Sequence, residues 1–203
     1  MTPVGAAIEI TVGTDLVRGV GFAGSGRGTL LFVHDLGADL DQFGTLPEVL
    51  AAAGFDTVAI DLPDHGLSGG DALPLARCAP VVGDIVSAVV AASDVHVVGL
   101  VTSGRIGTVA TALGRDQSVA AHLVINPVLD DDIARTAKRV HAVRLVVHGD
   151  DPSIVGTETQ RYFSYLIGEK LLMFNAAIAG PAAVAALPTV RAHIELFFTR
   201  YLQ

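Results

Sequence analysis

The run Val97-Val98-Gly99-Leu100-Val101-Thr102-Ser103-Gly104 reads as a buried strand, a tight turn and the opening of a helix. That is the frame of a nucleophile elbow, G-x-S-x-G, in which small residues flank a serine held at the apex of the turn. Gly99 and Ser103 supply the small flanks, but the middle place holds Val101. An isopropyl group has no lone pair to attack with and no proton to give up. The spacing therefore predicts a frame for acyl chemistry without its nucleophile. Thr102 and Ser103 follow the apex, and their hydroxyls are expected to cap amides of the opening helix.

Elements of two kinds alternate around this run. Strands are expected over 6–12, 16–22, 29–33, 57–60, 95–100, 120–125, 143–148 and 170–174, the first two joined as a hairpin at Gly13-Thr14-Asp15. Helices are expected over 40–53, 75–92, 102–114, 131–140, 157–166 and 182–202, the first closing at Gly54. Such alternation without repeat or linker predicts one α/β domain over 1–203, a mostly parallel eight-stranded sheet with helices on both faces.

With 51% hydrophobic and 17% charged residues in 203, the chain can bury a core and is not a disordered protein. The apolar runs are short and interrupted, so no membrane span is expected. A net charge of −8 with 13 Lys+Arg leaves no basic face for nucleic acid. No leader pattern stands at the N-terminus, and the single Cys78 cannot form an internal disulfide, which fits a cytoplasmic protein. Cys78 itself reads as a packed small hydrophobe. Gly24-Ser25-Gly26-Arg27-Gly28 precedes a strand, whereas a dinucleotide loop follows one, so no nucleotide site is assigned there. Asp130-Asp131-Asp132 reads as a helix N-cap.

Four segments together resemble the α/β-hydrolase fold. Leu30-Leu31-Phe32-Val33-His34-Asp35-Leu36-Gly37 is similar to that superfamily's strand ending in H-G-x-G, and Asp61-Leu62-Pro63-Asp64-His65-Gly66-Leu67-Ser68 to its D-x-P-G-H-G-x-S loop. Val98-Gly99-Leu100-Val101-Thr102-Ser103-Gly104 resembles its elbow, and Leu145-Val146-Val147-His148-Gly149-Asp150-Asp151 the strand that delivers the catalytic acid. They occur in the superfamily's order along nearly the whole chain. Fewer than twenty residues separate Ile125 from Val143, where many members insert a helical cap, so the resemblance is to a capless core.

The resemblance implies a triad whose places are substituted. Val101 stands for the nucleophile. Ala179, in the loop after the last strand, stands for the histidine base, and the only later histidine, His193, lies too far on in a helix. The acid place falls on Pro152, or on Asp151 if the register shifts by one. Asp35, where the superfamily has glycine, would set a carboxylate beside the oxyanion hole and repel the charge that develops there. His34, Asp35, Asp61, Asp64 and His65 come together in that fold and could hold a metal. They lack tight ligand spacing, so scaffold roles are expected and neither metal nor cofactor is assigned. His96 and His148 are likewise expected to be core or scaffold residues.

These readings predict a pocket lined by His34, Asp35, Leu36, Leu100, Val101, Thr102 and Ile178. It would take a small apolar ligand or a protein partner, in a homo- or hetero-oligomer, in a chain that has lost hydrolase activity. The alternative is an atypical esterase-like hydrolase, or a lyase, using Asp35, His65, Asp151 or Ser103.

Overall fold

In a computed structural model, the residues described are 3–93, 95–113, 118–129, 143–149 and 155–202. Strand β1 (Ala6–Val12) turns through Gly13-Thr14 into β2 (Asp15–Phe22), and Gly13 takes the φ of +61° that this turn requires. Then come β3 (Thr29–Val33), β4 (Asp56–Ile60), β5 (Val98–Ser103), β6 (Val119–Pro127), β7 (Val143–His148) and β8 (Lys170–Phe174). They form one eight-stranded sheet in the order β1-β2-β4-β3-β5-β6-β7-β8, with β2 alone running against the rest. Every residue of β3, β5 and β7 is buried, as expected of parallel strands covered on both faces.

Helices α1 (Leu46–Ala52) and α5 (Pro188–Tyr201) cover one face, where Phe32, Val101, Leu123 and Phe198 share a core. Helices α2 (Leu75–Ala92), α3 (Gly104–Val109) and α4 (Val155–Tyr165) cover the other. α2 is long and apolar enough to span a bilayer, but here it lays Cys78, Val82, Ile85, Val86 and Val89 against the sheet. No cap domain is evident among the described residues.

Three elements differ from expectation, each for a physical reason. The helix expected over 40–53 is a 3₁₀ turn (Leu40–Phe43) and then α1, parted by Gly44 at φ +52°. Pro47 sits in α1's first turn, where its missing N–H is no loss. The closing helix is likewise a 3₁₀ turn (Pro181–Ala186) followed by α5, which starts at Pro188. The third difference moves the elbow. β5 begins at Val98 rather than 95 and runs on through Ser103, so the helix that follows starts two residues late. The helix expected over 131–140, with Asp130-Asp131-Asp132, lies outside the described residues.

Candidate functional site

The chain leaves β3 for β4 on one side, and the next crossover returns past β3 to β5 on the other. Such a switch point opens a crevice beyond the carboxyl ends of the two strands, where ligands of open α/β sheets bind. Here that crevice is built from the segment after Val33 and the turn after Ser103.

The turn's apex is Gly104, at φ +54°, and this corrects the assignment of Val101. Val101 lies inside β5 in register with Phe32 and Leu123, fully buried in the core under α1 and α5. Gly99 is not an elbow glycine either. A Cβ there would stand 2.6 Å from both Leu30 Cδ2 and Phe198 Cε1, so Gly99 exists to let α5 close on the sheet. The residues that make the turn are Gly104 and Gly107, the second needed because Val124 Cγ1 lies 2.5 Å from where its Cβ would be.

Asp35 fills the space above Gly104. A Cβ on Gly104 would come within 1.9 Å of Asp35 Oδ2. The amides of Arg105 and Ile106 both donate to Asp35 Oδ1, at 2.8 and 3.1 Å. An elbow's oxyanion hole uses the N–H of the residue after the nucleophile and an N–H from the loop after β3. The first of these, on Arg105, is held by Asp35's own carboxylate. In the loop after β3, the Asp35 amide donates to Gln42 Oε1 at 2.9 Å, and the Gly37 amide to His65 Nε2 at 3.1 Å. Ser103 does not cap the helix as expected; its hydroxyl donates to Gln42 Oε1 at 2.7 Å. Thr102 turns to the opposite layer, with Oγ1 2.7 Å from His122 Nε2.

The acidic and imidazole residues nearby hold loops. Asp61, 2% exposed, accepts from the amides of Leu40 and Leu67, both at 2.8 Å, and so ties two loops together. His34 Nε2 accepts from the Leu62 amide at 2.9 Å, so its proton is on Nδ1, which donates to the Asp35 carbonyl at 2.7 Å. Burial lowers the His34 pKa, and that carbonyl bond offsets it only in part. His65 is fixed through Nδ1 to the Pro63 carbonyl at 2.8 Å. No group of three or more metal-ligating side chains occurs among the described residues.

Ala179 is exposed in the loop after β8, beside the buried Ile178. The Ile178 carbonyl presses on Gly149, which has no room for a Cβ, so the loops after β7 and β8 close on each other. Asp151 and Pro152 lie outside the described residues. His148 is buried at the end of β7, as expected, whereas His96 is exposed and precedes β5 rather than lying on a strand. The expected pocket is therefore not one surface. His34, Leu100, Val101, Thr102 and Ile178 are all core, and Leu100 and Val101 face opposite layers. Asp35 and Leu36 alone of the seven are part-exposed. The structure adds Gln42 and Gly104. The glycine pair at 104 and 107 was a readable signal, whereas nothing local marks Gln42. A separate apolar groove of about 380 Å³ lies at the far edge of the sheet, between β8 and α5, lined in part by Leu171, Met173 and Leu196.

Strand order, the lone antiparallel β2 and the turn after β5 can be set against solved structures. A dienelactone hydrolase from Anabaena variabilis superposes with a TM-score of 0.82 at 20% identity, covering 100% of both chains. The chain has the α/β-hydrolase fold. An esterase from Pyrococcus furiosus is similar with a TM-score of 0.81 at 14% identity, over 99% of this chain and 92% of that one. A predicted CIB-like hydrolase from Thermoplasma acidophilum matches with 0.73 at 16% identity, over 97% and 99%. No protein-family model matches the sequence, and no curated protein does.

Proposed function

We propose that this α/β-hydrolase-fold chain binds rather than cleaves, holding a small ligand or a protein partner over the ends of β3 and β5. One observation carries the reading: the Asp35 carboxylate sits on the Arg105 and Ile106 amides above Gly104. A glycine at the apex offers no nucleophile. A fixed negative charge on the oxyanion donor opposes the charge an acyl-transfer transition state would develop. Substitution of the base place by Ala179 supports the same reading.

A second reading is an esterase-like hydrolase, and the comparisons favour it, because the structures the chain resembles are named as hydrolases and esterases. It would rest on Asp35, His65, Asp151 or Ser103 in unusual roles. Short p-nitrophenyl esters and a fluorophosphonate probe separate the two. Binding without cleavage predicts background turnover and no labelling. Saturable turnover or labelling lost in Ser103→Ala would establish the hydrolase and end the first reading.

A further inference from the structure

Beneath the sheet, away from Asp35, β6 and β7 place two basic side chains side by side. His122 and Arg144 are register partners on adjacent parallel strands, so they leave the sheet on the same face about 4.8 Å apart. Both are fully buried, and Arg144 heads the large buried side chains of the molecule. Lys170, next in register on β8, is provided for, since its Nζ donates to the carbonyls of Phe163 and Leu166 at 2.8 and 2.9 Å. Arg144 is not. Its Nη2 donates to the Thr111 carbonyl at 2.7 Å, but Nε and Nη1 have no partner, and no carboxylate pairs with it among the described residues.

Polar groups in the same layer share the deficit. Tyr162, on the face of α4 that meets Val124 and Val146, is buried with its hydroxyl unpartnered. Thr159, three residues earlier on the same helical face, is buried with an unpartnered Oγ1. His122 Nδ1 is unpartnered too. Burial lowers the His122 pKa well below the usual value, and Arg144 lowers it further, so the ring is neutral. When the Thr102 hydroxyl donates to Nε2, Nδ1 carries the proton. Burial also pushes the Tyr162 hydroxyl up, keeping it protonated. The set is therefore a buried cation with two unpartnered guanidinium nitrogens, beside unpartnered hydroxyls and an imidazole nitrogen. Each orphaned donor weakens the fold, and an unpaired buried charge weakens it more. Water can accept from these donors but cannot neutralise the guanidinium; a small anion does both.

We propose that a chloride-sized monovalent anion binds between the layers here, held by Arg144 with His122 and Tyr162. Burial of every group in the set selects a small, singly charged ion over sulfate or an organic acid.

The test uses the whole protein. Melting temperature is followed as chloride or bromide replaces gluconate at constant ionic strength, and crystals soaked in bromide are measured at its absorption edge. Expected are a rise of several degrees with halide and an anomalous peak in contact with the Arg144 guanidinium. Arg144→Met, which keeps an apolar stem of similar length, should abolish both responses. Equal melting in halide and gluconate, or bromide found only elsewhere, would overturn the proposal. Should Arg144→Met fail to fold, the wild-type titration and the peak decide it alone.

Discussion

Asp35 and Gly104 occupy one volume between them: the carboxylate fits because the apex residue has no side chain. Gly104→Ala therefore carries two costs, a left-handed backbone at φ +54° and a Cβ driven into the carboxylate. Together they should lower stability by about 2–3 kcal/mol. Asp35→Ala removes the bonds to the Arg105 and Ile106 amides and should cost about 1 kcal/mol, as other helix caps do. In the double variant the clash is gone, so its loss should fall short of the sum by roughly 1 kcal/mol. Urea unfolding of the four proteins measures this; strict additivity would mean that Asp35 is not what confines the apex to glycine.

At the scale of elements, β5 is held by what presses on its two faces. Gly99→Ala should destabilise by about 1–3 kcal/mol, because Leu30 and the Phe198 ring would both have to retreat. A melting-temperature loss restored by Phe198→Leu would locate the strain at the α5 contact. On the opposite layer, Cys78 lies on the buried side of α2, its Sγ 3.5 Å from the Pro74 carbonyl. Burial, with a smaller push from the Asp35 charge, raises the thiol pKa to about 11. Iodoacetamide at mildly alkaline pH should leave it unmodified in the native protein and alkylate it once denaturant is added, as mass spectrometry would report. Native alkylation at the unfolded rate would mean that α2 is not packed on the sheet.

For the molecule as a whole, two buried histidines make stability depend on acid. His34 and His122 are both lowered from an ordinary value of 6.5, chiefly by burial. Their native pKa values lie below the unfolded ones, so their contribution to stability is complete above pH 6.5. It is lost as pH falls towards the native values. Each adds a slope of up to about 1.4 kcal/mol per pH unit in that window. Urea midpoints should be flat above neutrality and fall below it, and His122→Gln should make the fall shallower. An unchanged slope in that variant would remove His122 from the account.

Much of the architecture was legible in the chain itself. Largely apolar runs such as 30–33 and 145–147, alternating with helical segments, announce a sheet buried on both sides, as parallel strands covered by helices are. The absence of histidine from the loop after β8 is likewise a property of the sequence. Where the elbow bends was not legible. A run from Val97 to Gly104 in which every residue is small or apolar fits several registers. The choice falls to contacts distant in sequence: Phe198 against Gly99, Val124 against Gly107, and Asp35 against Gly104. Tertiary structure also decided that Asp35 accepts from the helix amides, and that Arg144 stands beside His122 without a counter-charge among the described residues. Both depend on which strands become neighbours, and strand order is set by packing the whole chain.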